Sequence, residues 1–326
     1  MTTARAVHEP KRGSARGAPR FANRSGPLRL PAGRSIPHFA GRSLNLLHLP
    51  ALAVLGVFML WPLLNGVLLS LTNWDGFSPD RAFVGIQNYL RLFEDPNFRT
   101  ALGNTFLYGV GSTILQQVIG LGLALALDRH VRGRSIARAI IYLPVLVSPV
   151  VMGTMYYLFL SYNGGGLNDL VVALGGQRTA WLSDSGTAIA IVVLVNSLQF
   201  VGISMVIYLA GLQSIPTMYF EAATLDGANA VQTFRSITLP MLQPAFATSI
   251  VLNLIGGLKL FDVIQVLTAG GPGYATHSVS TLIAKMYFGS QRAGYASAMG
   301  VVLFLIIAIF TLALNTVMNR RRMEQL

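Results

Sequence analysis

The chain has 326 residues, of which 53% are hydrophobic and only 11% charged, with a mean hydropathy of +0.56. Soluble domains carry about 25% charged residues, so most of this sequence belongs in lipid. The net charge of +12 does not point to nucleic acid, because the arginines cluster in the first 44 residues and between apolar runs. With no cysteine, disulfides and thiolate metal sites are excluded.

Residues 1–44 hold nine basic residues against one acid, Glu9, with Gly, Pro and Ser breaking any periodicity. They read as a disordered basic cytoplasmic arm that fixes orientation, with contact to anionic lipid as the functional alternative. The first apolar run begins too late and is too long for a cleaved signal peptide. From residue 45 to 320 the pattern is an all-α membrane protein, followed by a short cytoplasmic tail, 321–326. Runs of about 20 apolar residues mark spanning helices, and six are expected, near 46–71, 103–127, 137–160, 188–212, 245–267 and 296–318. Arg129, Arg132, Arg134 and Arg138 follow the second span, and Arg320, Arg321 and Arg322 the sixth. The loops after spans one, three and five carry fewer basic residues, and they hold six of the twelve acids. This asymmetry places both termini in the cytoplasm. In the first outer loop the stretch from Gln87 to Phe93 reads as an interfacial helix. Its neighbouring aromatics, with Trp74 and Trp181, suit the membrane surface.

Pro144, Pro149 and Gly153 in span three, and Gly256-Gly257 in span five, are expected to kink or break their helices where backbone faces protein or a cavity. Polar groups inside the spans are costly and face the bundle interior. Asn196 and Gln199 share a face of span four. In span five, Asn253 precedes Lys259, Asp262 and Gln265, whose three-residue spacing stacks them on one side. One reading is a pathway lined by amides on which a solute's polar groups exchange water. The other is that Lys259 and Asp262 neutralise each other while the amides cross-link helices. The residues alone leave both open.

The loop 214–243 lies between spans four and five and reads as helix, tight turn, helix. Ile215, Met218, Ala222 and Leu225 recur at helical spacing, with Thr217, Glu221 and Thr224 on the adjacent polar face. Pro216 suits the first turn, Gly227 marks a stop with φ > 0, a second helix fits 228–236, and Pro240 is expected to end it. By parity the loop is cytoplasmic, yet it holds one basic residue, Arg235. A cytoplasmic loop so poor in charge fits docking against protein.

Glu221-Ala222-Ala223, Asp226-Gly227-Ala228, Phe234, Ile237, Leu239-Pro240 and Pro244 resemble the EAA loop of binding-protein-dependent ABC importer permeases. Phe83-Val84-Gly85-Ile86-Gln87-Asn88-Tyr89, Asn104-Thr105-Phe106, Gly166-Leu167-Asn168, Phe261-Asp262 and Thr268-Ala269-Gly270-Gly271-Pro272 are similar to the maltose and glycerol-phosphate type sugar permeases within that group. The resemblance runs from about Pro50 to the end. It implies a type I ABC importer permease fold with six transmembrane helices and a cytoplasmic coupling helix pair. It further implies a sugar substrate, a second permease subunit, a dimer of cytoplasmic ATPases and an extracytoplasmic solute-binding protein. Glu221, Ala222, Ala223, Asp226, Gly227, Ala228, Phe234 and Pro240 would meet the ATPase. Asn196, Gln199, Asn253 and Gln265 would line the substrate pathway, and Lys259 and Asp262 would form a structural ion pair. No Walker A sequence, HExxH or Gly-x-Ser-x-Gly is present, so no cofactor is expected on this chain, and ATP and Mg belong to the partner ATPase. An ion-coupled secondary transporter would need matching inverted repeats, and none is visible. A polytopic scaffold would not need amides inside its spans.

Overall fold

The computed structural model describes residues 48–128 and 132–323; the predicted N-terminal arm therefore lies outside the described residues. The chain divides into two units at Leu55/Gly56. Of the first unit only His48–Leu55 is described, the helical Leu49–Leu55, with no buried residue. The second unit holds every other element discussed below. Among the described residues the structure is helical, with one isolated bridge between Thr72 and Phe83.

Among the described residues four helices are long and apolar enough to cross a membrane: α1 (Leu49–Ser70), α3 (Pro96–Asp128), α7 (Ser185–Gln213) and α13, apolar over Ala293–Met318 within Ala293–Met323. Two further crossings arise if each of two bent pairs counts as one span. The first pair, α4 (Arg134–Leu146) and α5 (Pro149–Phe159), bends by 98°, and the second, α9 (Ala230–Met241) and α10 (Gln243–Leu258), by 63°. The expected break in the third run thus falls at Val147-Ser148, immediately before Pro149, while Pro144 sits inside α4. Proline at the first position of α5 has no ladder bond to lose. The Val147 carbonyl at the break accepts from Gln199 Nε2 at 3.2 Å, so a side chain supplies what the helix does not.

The shorter helices are α2 (Gln87–Glu94), α6 (Gly166–Ala173), α8 (Thr217–Leu225), α11 (Asp262–Leu267) and α12 (Val279–Ala284), the last followed by a π-helical Lys285–Gly289. The run 245–267, read as one span, is broken: α10 ends at Leu258 and α11 begins at Asp262.

Helix α3 is the spine. Thirty-three residues at 1.5 Å each make it about 50 Å long, and three buried clusters lie along it. Phe98 and Ala101 pack with Val279, Leu282 and Met299. Tyr108 packs with Val192, Val195, Val263 and Ile264. Ala124 packs with Met205, Tyr208, Leu212 and Leu242. Glycines let α3 approach its neighbours closely. A Cβ on Gly120 would stand 2.5 Å from Ser204 Cβ in α7, and one on Gly257 would stand 2.7 Å from Gly109 Cα.

Candidate functional site

Where α3, α7 and α10 meet the start of α5, a cavity of about 220 Å³ opens. Gln116, Asn196, Asn253, Lys259 and Asp262 give it its polar groups, and Phe200 and Phe261 give it aromatic walls. Gly256 lies on the cavity lining, and a Cβ built on it would meet nothing within 4 Å. Its neighbour Gly257 is locked against α3. Two adjacent glycines on one helix therefore do different things, one leaving room and one allowing contact.

The amides are held unequally. Asn253 Nδ2 donates to Ser204 Oγ at 2.6 Å, and Ser249 Oγ donates to the same oxygen at 3.1 Å. Gln116 Nε2 donates to the Asn196 carbonyl at 3.3 Å, while its Oε1 is buried without a partner. Asn196 is only 3% exposed. An orphaned buried carbonyl oxygen costs on the order of 1–3 kcal/mol, so Gln116 Oε1 is an acceptor with capacity to spare. Gln116 was not among the residues expected to line a pathway. The tandem Gln116-Gln117 in an otherwise apolar run was the signal available.

Of the expected pathway residues, Asn196 and Asn253 line the cavity. Gln199 does not; it braces the break between α4 and α5. Gln265 is exposed on α11, away from the cavity lining. The expected ion pair between Lys259 and Asp262 is not made: among the described residues the ion pair present is Arg178–Asp169 at 2.7 Å. The physical reason is the helix break. Lys259 caps the end of α10 and Asp262 opens α11, so three-residue spacing does not put them on one face. Both line the cavity instead.

At the other end of α7 lies the second candidate surface. Helix α8 closes on a Schellman turn: Ala228 N donates to Ala223 O at 2.9 Å and Gly227 N to Thr224 O at 3.1 Å, with Gly227 at φ +74°. Glycine adopts that conformation without the Cβ penalty. Asn229 then caps α9, accepting from Val231 N and Gln232 N while Gln232 Oε1 accepts from Asn229 N at 2.8 Å, a reciprocal capping box. The expected stop at Pro240 does not occur. Phe234–Thr238 is π-helical, closed by Leu239 N on Phe234 O, and α9 runs past Pro240 to Met241.

The inward side of α8 is Ala223, with Phe220 packed onto the buried cluster around Leu242. The stripe Met218–Ala222–Leu225 faces outward, with Met218 65% and Leu225 89% exposed. Glu221 and Asp226 are exposed, and neither is ion-paired among the described residues. Phe234 is half-buried, Ala228 is half-buried, and Pro240 is exposed.

Comparison with known proteins adds an independent line. The family model described as "Binding-protein-dependent transport system inner membrane component" matches residues 118–324. The probable ABC transporter permease protein YurN of Bacillus subtilis is 40% identical over 270 residues, covering 82% of this chain and 91% of that protein. The trehalose/maltose transport system permease protein MalF of Thermococcus litoralis is 34% identical over 277 residues, covering 85% and 94%. Among solved structures, a chain of a bacterial ABC transporter involved in import of the acidic polysaccharide alginate superposes with a TM-score of 0.75 at 25% identity, covering 85% of this chain and 95% of that one.

Proposed function

From a chain that belongs to the family of binding-protein-dependent transport system inner membrane components, we propose the membrane permease of a sugar ABC importer, with the cavity between α3, α7 and α10 on the sugar's route. The observation that carries the cavity assignment is the convergence of Gln116, Asn196 and Asn253 beside Phe200 and Phe261. Amides exchange hydrogen bonds with sugar hydroxyls, and aromatic walls cover the apolar faces of a sugar ring. The relatives' printed substrates, trehalose and maltose for one and acidic alginate for the other, leave the charge of the solute to be argued. The cavity holds one cation, Lys259, and one carboxylate, Asp262. It offers no net positive charge for an anionic solute, which favours a neutral mono- or oligosaccharide over a glycerol-phosphate type.

In this proposal each bent pair is one crossing. That gives six spans in the cytoplasmic membrane with both termini inside, as the arginine asymmetry requires. The α8–α9 loop is then cytoplasmic. Its uncovered stripe Met218–Ala222–Leu225, with Glu221 beside it, is the surface on which an ATPase seats. A second permease completes the pathway, and a solute-binding protein delivers the sugar. This chain supplies no catalytic group: ATP and Mg act on the ATPase pair, which moves α8 and with it α7 and α10, exposing the cavity to alternate sides. Uptake of labelled saccharide into proteoliposomes holding the assembled transporter, driven by enclosed ATP and loaded binding protein, tests the reading. Uptake that needs neither would identify a different class of transporter.

A further inference from the structure

Helix α2 is tied to the ends of three candidate spans. Asn88 Nδ2 donates to Ser70 O and to Thr72 O, both at 2.8 Å, at the end of α1. Tyr89 Oη meets Ser70 Oγ at 2.6 Å. Asp95, the one residue between α2 and α3, accepts from Tyr295 Oη at 2.9 Å, and Tyr295 stands in the first turn of α13. Leu92 is fully buried beneath the helix. These bonds fix α2 at the level where α1 ends and where α3 and α13 begin.

At that depth α2 turns a large apolar face away from the protein. Ile86, Leu90 and Phe93 follow one another by four and three residues, which puts them on one side of a helix, and they are 64%, 57% and 59% exposed. Phe83, in the strand-like bridge to Thr72, adds a ring 75% exposed. Scattered exposed apolar residues are ordinary; four at one level, beside the ends of three spans, are not. Arg91 and Arg99 stand exposed beside this face without an acidic partner, the Arg99 Nε–H donating to Phe93 O at 2.8 Å, and Glu94 is exposed near them. An amphipathic helix with apolar groups on one side and guanidinium groups at its rim matches the boundary between acyl chains and phosphates.

We infer that α2 is a membrane-interface anchor: Phe83, Ile86, Leu90 and Phe93 lie in the acyl–headgroup boundary, and Arg91 and Arg99 pair with lipid phosphates. The partner is bilayer lipid, and the helix fixes the depth of the three spans it is tied to. The inference rests on the reading of the bundle as membrane-spanning. Because the chain has no cysteine, single substitutions place one spin label on it. The assembled transporter is reconstituted in discs of phosphatidylethanolamine and phosphatidylglycerol with Leu90→Cys, Arg91→Cys or Phe58→Cys labelled. Collisions with oxygen and with a water-soluble nickel chelate are then compared. Oxygen should dominate at position 90 and nickel at position 91, a reversal across one residue. Phe58, 77% exposed on α1, is the control for spanning. Oxygen dominance at 58 with nickel dominance at 90 would overturn the anchor and leave the spanning reading intact; nickel dominance at both would overturn both. A label at 90 that becomes shielded only when loaded binding protein is added would also overturn the anchor, making the face a protein docking surface.

Discussion

Gly256 and Gly257 separate transport from folding within two adjacent residues. A Cβ on Gly256 meets nothing within 4 Å, and the residue lines a cavity of about 220 Å³. At roughly 30 Å³ per water that is roughly seven water-sized sites, and the four side-chain carbons of Gly256→Leu fill about half of them. Replacing a helical glycine also gains roughly 0.5–1 kcal/mol of backbone entropy. Gly256→Leu is therefore expected to keep or slightly raise the thermal unfolding midpoint while cutting saccharide uptake at least about tenfold, the equivalent of about 1.4 kcal/mol. Gly257→Ala reverses the pattern. Its Cβ would stand 2.7 Å from Gly109 Cα and 3.1 Å from Tyr108 O. Backbone has to move, and overpacking of this kind costs about 1–3 kcal/mol. The midpoint should fall. Uptake into proteoliposomes, ATPase stimulation by loaded binding protein, and thermal unfolding of the purified complex are measured for both variants. Parental uptake by Gly256→Leu would show that sugar does not pass this cavity.

Gly227→Val puts a β-branched residue at φ +74° in a turn with open space around it, so its cost is backbone strain of about 1–3 kcal/mol. Expression should persist while uptake and ATPase co-purification are lost; undiminished coupling would remove the α8–α9 loop from the ATPase interface. Asn196→Ala should lower uptake and leave assembly and basal ATPase intact, whereas Gln199→Ala, which orphans the Val147 carbonyl, should lower the unfolding midpoint. Equal effects of the two on both readouts would refute the division of labour. Reporter fusions after Arg178 and after Arg322 should report outside and inside; the same side for both would refute the topology. His277 is 1% exposed, and burial, then the Lys285 ammonium, push its imidazole down to about 4 from 6.5. The unfolded chain therefore takes up the proton first, so stability is full above pH 6.5 and is lost as pH falls towards 4, by about 3 kcal/mol in all. His277→Asn should flatten that slope in unfolding scans from pH 7 to 4, and an unchanged slope would assign it elsewhere.

What the sequence made legible, and what it hid, follows from the range of the interactions involved. The helix stop at Gly227 is local: a φ > 0 position after a periodic run is set by neighbours within one turn, and the Schellman bonds confirm it. The break before Pro149 is local for the same reason. Misplacement begins where periodicity is extended across a break. Lys259, Asp262 and Gln265 share a face only if the helix continues. The helix instead stops at Leu258, just past the Gly256-Gly257 pair where a break was expected. The break leaves no trace in the three-residue spacing beyond it. It sends Lys259 and Asp262 into the cavity and Gln265 to the outside. Gln199 lies outside the cavity lining, because the carbonyl it donates to belongs to a different helix pair. Gln116 went unread because what brings it to the cavity, the packing of α3 on α7, is tertiary.

The same distinction bears on how the two candidate surfaces work together. Helix α7 reaches the cavity through Asn196 and runs on to Gln213, four residues before α8 begins at Thr217. Ile215 in that connection is buried with Leu242, which stands between α9 and α10. Helix α10 in turn reaches the cavity through Asn253 and Gly256. A force on α8 therefore meets the roots of two cavity-lining helices through one apolar cluster. Close packing transmits displacement between discrete arrangements and does not absorb it gradually. The third wall, α3, is tied to α7 and α10 by glycine crossings at Gly120 and Gly257 that leave no slack. Under the proposed function, movement at the loop would be delivered where the amides converge. Softening the Ile215–Leu242 contact should uncouple ATP hydrolysis from uptake while every residue of the cavity and of the docking stripe stays in place.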